Sequence, residues 1–438
     1  MTRAAGKGLE RYDPFTNLMY LGGRGNVPRN AGITVSSALF SPRLGIAYRL
    51  DDKTVIRTGY GLNFDPMPFS RPLRGQYPIT VTFDFDRPGS FQLFRTLAEG
   101  IPPVVGPDLS TGVLDVPLNA DLRSPYETKL DRGYIQSWNF TIERKMPGDL
   151  IASAGYVGTS SIGMLGDRDI NASGIGQGNA GRPFVAITGR RIGINMWDSY
   201  LNANYHSLQI AVNRSFSKGL MLKGAYTYSK AINMTDDDGW AGVSWNSDSE
   251  FARNRARAGY DRTQMFQLGF VYDLPVGSGK RIATSGAANA ILGGWQLSGV
   301  YAAFTGNPYT ISASGSSVNS AGNSQTADQV GEVRKIGAVG SDGFYYDRAA
   351  FQAVTAARFG TSGRNIIDGP GVGSLDLSIM KNFAVGERFN AQIRGEFFNF
   401  TNSPQFGRPN NSVENANFMR ITTATGERQV RFGIRLSF

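Results

Sequence analysis

The chain holds one histidine, His206, and no cysteine. Thiol nucleophiles, Cys-based zinc sites and multi-histidine metal sites are therefore excluded by number. A Ser-His-Asp triad would need His206 beside a nucleophile and a carboxylate. It opens the apolar-alternating run HSLQIAV instead, which points to a structural role. The stretch GSGK at 277–280 has the flavour of a phosphate loop. The full motif needs a Gly five residues before the second Gly and a Ser or Thr after the Lys. Leu274 and Arg281 stand there, so the stretch reads as a turn. Asp236, Asp237 and Asp238, with Asp248 and Glu250 further along, are the only weak candidates for a hard-cation site. Their spacing matches no EF-hand, and a solvated loop is the simpler reading. Trp240 and Trp245 lie between the two acidic groups, and Phe344, Tyr345 and Tyr346 form a second aromatic cluster. Aromatics beside carboxylates in loops suit sugar or peptide contact, so Trp240, Trp245, Tyr345 and Tyr346 are ligand-contact candidates. No paired carboxylates or nucleophile motif stand out. The expectation is a protein that is not an enzyme and carries no cofactor and no assigned metal.

These residues fall in segments whose pattern is that of strands. At the C-terminus Val430, Phe432, Ile434, Leu436 and Phe438 alternate with Gln429, Arg431, Gly433, Arg435 and Ser437. Period two over a full strand marks one apolar and one polar face. Leu375, Leu377 and Ile379 alternate with Asp376 and Ser378, and Phe389, Ala391, Ile393 and Phe397 with Asn390, Gln392, Arg394 and Glu396. That second face is too charged for a protein core and suits a watery lumen. Arg57, Glu143, Lys223, Arg394 and Glu396 are expected to face it. Further strands read at 43–50, 56–64, 138–142, 150–156, 208–212, 222–228, 266–272 and 295–301, about eleven in all. Glycine supports this: 55 of 438 residues is about 13%, against about 7% on average. Phe (27) and Tyr (18) are plentiful, as strands and interface girdles require.

Connections alternate in length. Those near 51–52, 147–149, 217–219 and 384–386 are short, and 275–291 is somewhat longer. Those at 65–132, 160–204, 232–261, 305–373 and 402–426 are long. Loops of that length argue against a compact soluble domain. Short turns at one end and long loops at the other are the asymmetry of an all-β, transmembrane, antiparallel up-and-down barrel, with periplasmic turns and extracellular loops. Mean hydropathy of −0.24 does not oppose this, because barrel strands are apolar on one side only. The net charge of +10 is spread without a basic run, so nucleic acid is not expected as a partner. Residues 1–42 read as loop, and MTRAAGKGLERYDP has no apolar stretch of the kind a signal peptide carries. Counting strands backward from Phe438 places the start within an extracellular loop, with a preceding outward strand expected beyond it.

Several segments resemble one family. They include FSPRLGIAYRL (40–50), KTVIRTGYGLNFD (53–65), YIQSWNFTIERKM (134–146), NYHSLQIAVNRSFSKGL (204–220), GGWQLSGVYAAFTGNPYTI (293–311), GRNIIDGPGVGSLDLSIMKNF (363–383) and RGEFFNFTNSPQFGRPN (394–410). Their order along most of the chain is similar to the barrel of Oar-like, acidobacterial-type TonB-dependent receptors. The resemblance implies a 22-stranded barrel of which residues 1–438 are the C-terminal portion, with 1–42 an extracellular loop remnant and 43–438 the membrane strands and loops. The family's signal peptide, regulatory-like β-sandwich, TonB box and plug are not visible. It also implies outer-membrane lipid, the TonB complex acting through an N-terminal region, and the barrel-insertion machinery as partners, Phe438 being the assembly signal. The ligand stays open among glycan, peptide and metal chelate. The rival readings are a passive porin-like or non-functional barrel fragment, and a soluble β-rich carbohydrate-binding or adhesin protein. No repeat of about 40–50 residues marks a propeller.

Overall fold

The computed structural model describes residues 9–437 apart from 38, 66–76, 79, 82–88, 104, 238–240, 283–284, 341–342 and 386–388. Asp238, Trp240 and Phe438 thus lie outside the described residues. Eleven long strands carry the architecture. They are β1 (Arg43–Arg49), β2 (Thr54–Phe64), β3 (Tyr134–Met146), β4 (Leu150–Asp169), β5 (Asn195–Ser217), β6 (Leu220–Asn233), β7 (Gln264–Asp273), β8 (Trp295–Phe304), β9 (Val372–Val385), β10 (Phe389–Phe398) and β11 (Gln429–Ser437). Each pairs with its sequence neighbour, antiparallel, in one continuous sheet from β11 to β1. This up-and-down order follows from alternating short and long connections, because antiparallel neighbours need no crossover. Among the described residues no ladder joins β1 to β11, so both remain edges.

The ladders fix which side chains share a face, since directly opposed residues in an antiparallel pair point the same way. One row runs Tyr48, Ile56, Ile142, Ala154, Ile210, Tyr226 and Phe266 across seven strands. Another runs Leu222, Phe270, Gly299, Leu377, Phe397 and Val430. The apolar residues are therefore contiguous on one face, yet many are solvent-exposed: Ile142 42%, Ile210 39%, Ile434 75%. Among the described residues no continuous protein layer covers this face, as a lipid-facing surface requires.

Gly158 shows how tightly the apolar face is fitted. It lies opposite Trp138, and a Cβ there would come within 2.4 Å of the indole. The glycine lets the ring lie flat across β4 toward His206, 6.2 Å away.

Two strands exceed the sequence expectation. β4 and β5, expected near 150–156 and 208–212, run 20 and 23 residues. Their hairpin continues past the apolar zone into the segment read as loop at 160–204. Beyond Ser160 no apolar alternation is needed, so the pattern that marks a membrane strand fades while the backbone ladder persists. The ladder slips between Ser161 and Leu165, where Gly163 takes a positive φ of 62°. Residues 9–42, read as bare loop, hold a hairpin of Glu10–Asp13 and Leu18–Leu21, joined by Val113–Asp115 into a three-stranded sheet.

The long loops form a folded cap with its own cores. One gathers Tyr12, Met19, Leu21, Leu122, Phe184, Ile194 and Met196. The helix α1 (Pro183–Thr188) supplies its Phe184. Another gathers Tyr309, Ile311, Tyr345, Tyr346, Phe351, Phe418 and Met419. On the short-turn side a second helix, α2 (Gly286–Leu292), sits in the β7–β8 connection.

Candidate functional site

The polar face of the sheet is the first component. Arg57, Glu143, Lys223, Arg394 and Glu396 all fall on it, by register through ten successive ladders. Arg57 Nη1 lies 3.2 Å from Glu143 Oε2, and Arg394 Nε 3.7 Å from Glu396 Oε1. Lys223 and Glu396 line a cavity of about 310 Å³ together with Asp376, Val271, Val300 and Phe398. Among the described residues, the polar face below the β4 bulge carries eight cations (Arg43, Arg49, Arg57, Lys145, Lys223, Arg394, Arg431, Arg435) and four carboxylates (Glu143, Asp273, Asp376, Glu396). Its field is therefore positive, and it attracts anions.

The cap over the long-loop end is the second component. Asp236 is exposed on one side, but its carboxylate is not vacant. It accepts from Arg364 Nη1 (2.8 Å), Asn233 Nδ2 (3.0 Å), Asn365 Nδ2 (2.9 Å) and the Gly259 N–H (2.6 Å). Burial works against its charge, but these donors outweigh it and hold the carboxyl below the usual carboxylate range. Asp237 accepts from the Gly242 N–H at 3.1 Å. Among the described residues no group of three or more acidic or histidine side chains converges as a metal site. An arginine and backbone amides already supply the positive charge that a cation would bring.

Of the aromatic candidates, Trp245, Tyr345 and Tyr346 are buried where the loops pack on themselves. Trp245 is buried against Val318 and Phe359, with Arg253 4.9 Å above its ring. Tyr345 and Tyr346 pack edge to face at 5.3 Å inside the second loop core. The reason is volume. Gly- and Asn-rich loops have few apolar side chains, so the large aromatics are recruited as core. Burial raises the Tyr346 phenol, which donates to Asp368 O at 2.9 Å.

What sequence reasoning missed is a set of arginines that bond loop carbonyls, Arg190 and Arg364 buried and Arg253 partly so. Arg364 donates from Nε to Asn254 O (3.0 Å) and from Nη2 to Asn233 O (2.8 Å), tying three loop segments together. Arg190 donates to Ala120 O and Pro117 O, both at 2.9 Å, and lies over the Tyr12 ring. Arg253 reaches Gly360 O and Ser362 O. No local pattern distinguishes such arginines from solvated ones. Between the loops a polar seam joins Ser173 to Ser320 and Ala321, and Asn323 to Asn246 and Ser247. At its margin a cavity of about 380 Å³ opens among Tyr126, Arg168, Asp198, Asn246 and Asp248, where Arg168 contacts Asp248. Its wall is mixed: Ile170, Ala172, Pro183 and Met196 stand beside the polar and charged groups. His206 belongs to neither component. It lies on the apolar face, with Nδ1 2.7 Å from the Tyr156 hydroxyl.

A model of the family described as outer membrane beta barrel domain matches residues 2–431. No curated protein matches the sequence. Among solved structures the chain is similar to P. aeruginosa FpvA bound to heterologous pyoverdines, at 11% identity over 96% of this chain and 35% of that one, with a TM-score of 0.43. It is also similar to the outer membrane transporter YddB from Escherichia coli, at 10% identity over 91% of this chain and 40% of that one, with a TM-score of 0.46. BauA, the ferric preacinetobactin receptor from Acinetobacter baumannii, gives 10% identity over 91% and 36%, with a TM-score of 0.42. The chain thus spans 35–40% of the length of these three.

Proposed function

Because the chain belongs to the outer membrane beta barrel domain family, its strands cross the bacterial outer membrane, and we propose that it is the C-terminal portion of a TonB-dependent transporter barrel. The observation that carries this reading is the segregation of the sheet. Eleven strands put apolar side chains on one face and a net positive set on the other, beneath a cap whose loops are bonded to one another. In this reading the apolar face meets lipid, and Arg57, Glu143, Lys223, Arg394 and Glu396 line the lumen. The cap is extracellular and gathers a ligand too large or scarce for open pores.

The eight-to-four excess of cations along the polar face favours an anionic ligand over a cationic one. Among glycan, peptide and metal chelate, this supports an anionic chelate or an acidic peptide. The TonB complex acts in this reading through a plug belonging to a preceding part of a longer protein. The Oar-like subtype rests on the ordered sequence segments. The barrel itself performs no chemistry: it binds, orients and conducts.

The test is energised uptake. Cells with and without the gene are given labelled anionic chelates, acidic peptides and neutral oligosaccharides. The expected result is gene-dependent uptake of an anionic class that stops when a protonophore collapses the inner-membrane gradient. Gene-dependent uptake that persists without the gradient identifies a passive pore and overturns the proposal.

A further inference from the structure

Among the described strand residues below the β4 bulge, the apolar face carries formal charge only at its ends and only of positive sign, while at the short-turn rim Arg144 lies 3.7 Å from the turn residue Asp51. Below the β4 bulge its charged residues are Arg144, Arg214, Lys230 and Lys381, with no Asp or Glu among the described residues. Lys230 lies toward the long loops. Arg144, Arg214 and Lys381 lie beside the short turns, which are periplasmic in an outer-membrane barrel. Each stands next to apolar neighbours: Met146 and Leu150, Leu222, and Trp295. Cations at the rim of a lipid-facing surface sit at the level of headgroup phosphates.

One of the three is built into a pocket. Lys381 is 7% exposed, and its Nζ donates to Ile291 O (3.0 Å) and Gly293 O (2.6 Å) at the end of α2. It lies 5.0 Å from the Trp295 ring and 4.9 Å from Phe383. Trp295 Nε1 donates to the same Ile291 O at 2.9 Å. These bonds clamp α2 to the lipid side of the sheet. Exposed Ile291 (67%), Leu292 (52%) and Ile282 (55%) surround it and have no protein cover. Between α2 and the end of β9 a cavity of about 420 Å³ is lined by Gly277, Ser278, Lys280, Asn289, Lys381 and Asn382. The GSGK turn, which is no nucleotide loop, forms its wall. Lys280 is half exposed, with Asp273 3.7 Å away, and Arg281 follows it at the surface.

We propose that this pocket binds the headgroup of an anionic glycerophospholipid of the periplasmic leaflet. Lys280, Arg281 and Lys381 supply the positive field, Ser278 and Asn289 polar contact, and Ile282, Ile291 and Leu292 the contact with acyl chains. The charge argument selects an anionic over a zwitterionic headgroup, because three cations, Lys280, Arg281 and Lys381, stand against one nearby carboxylate among the described residues, Asp273, which already lies 3.7 Å from Lys280. The adjoining apolar residues select a lipid over free phosphate. The inference rests on the outer-membrane placement and not on the nature of the transported ligand.

The experiment measures quenching of Trp295, taken as the difference between the protein and its Trp295→Phe variant, in bilayers where either phosphatidylglycerol or phosphatidylcholine carries brominated chains. A basic side chain near a membrane surface changes anionic-lipid affinity about five-fold. The expected result is strong quenching by a minority of brominated phosphatidylglycerol, with the preference falling about 25-fold in Lys280→Gln/Arg281→Gln. Both side chains are on an exposed turn, and heat-dependent gel mobility confirms the folded barrel in each sample. Lipid copurifying from outer membranes, measured by mass spectrometry, is expected to lose phosphatidylglycerol in the same variant. Equal quenching by the two lipids, or no change in the double variant, overturns the proposal. Displacement by inorganic phosphate beyond that by chloride of equal ionic strength also overturns it and identifies a soluble-anion site.

Discussion

Arg364→Ala tests whether the cap is one cooperative unit. Arg364 is 6% exposed and bonds Asn254 O, Asn233 O and Asp236, so its loss severs the joins among three loop segments. Removing one partner of a buried ion pair costs about 3–5 kcal/mol. Asp236 is itself partly exposed and keeps its bonds from Asn233, Asn365 and Gly259, so the cost is at most the lower end, about 3 kcal/mol. At about 1.4 kcal/mol per factor of ten, the opening equilibrium of the cap rises by up to about a hundredfold. Arg364→Lys keeps the charge but loses the fork, and falls between the two. The assay is amide hydrogen exchange of folded protein over residues 233–237, 254–261 and 363–368, with residues 266–272 of β7 as an internal reference. Arg334→Ala is the control, because the Arg334–Asp347 pair is exposed and worth about 0–1 kcal/mol. Faster exchange in all three loop segments with β7 unchanged is the expected outcome. A change below about five-fold, or one no larger than that in Arg334→Ala, refutes the clamp.

Acid should loosen the same cap. Asp236 is held low despite burial by its four donors, and Asp328 by Arg358 and the Thr361 N–H. A depressed folded pKa gives stability that is present above the unfolded value near 3.9 and is lost as pH falls through the folded value. Exchange corrected for intrinsic rates should therefore accelerate only below about pH 4, and Asp236→Asn should flatten its part of that slope. Gly306→Ala places a Cβ about 1.8 Å from Gly369 O, a backbone clash with no flexible side chain to yield. It should cost at least about 1–3 kcal/mol and loosen the Pro308–Tyr309 pairing with Ile367–Asp368, read by exchange in both segments. Ile210→Arg, on the apolar face, should destabilise the bilayer-embedded barrel by about 2–4 kcal/mol in urea unfolding. Gln209→Arg, one residue away on the polar face, should change it by no more than about 0.5 kcal/mol, and equal effects would show the faces to be misassigned.

The faces of the sheet were legible in the sequence because the period of a strand is fixed by covalent geometry. Once Phe432 and Arg431 alternate, their faces follow, and a one-residue slip of β11 would send Arg431 and Arg435 into lipid. Turn lengths then set the order of the strands, and the charge of the polar side excluded a protein core. Tertiary structure alone decided the rest. The lengths of β4 and β5 outside the apolar zone depend on backbone ladders that need no apolar pattern. Trp245 gains its burial from Val318 and Phe359, and Tyr345 and Tyr346 theirs from Tyr309, Ile367 and Phe418, all on distant segments that local spacing does not reveal. Arg364 and Arg190 gain their roles from carbonyls about 70 to 131 residues away. Local spacing encodes which way a side chain points, while what it meets there depends on the fold of the whole chain.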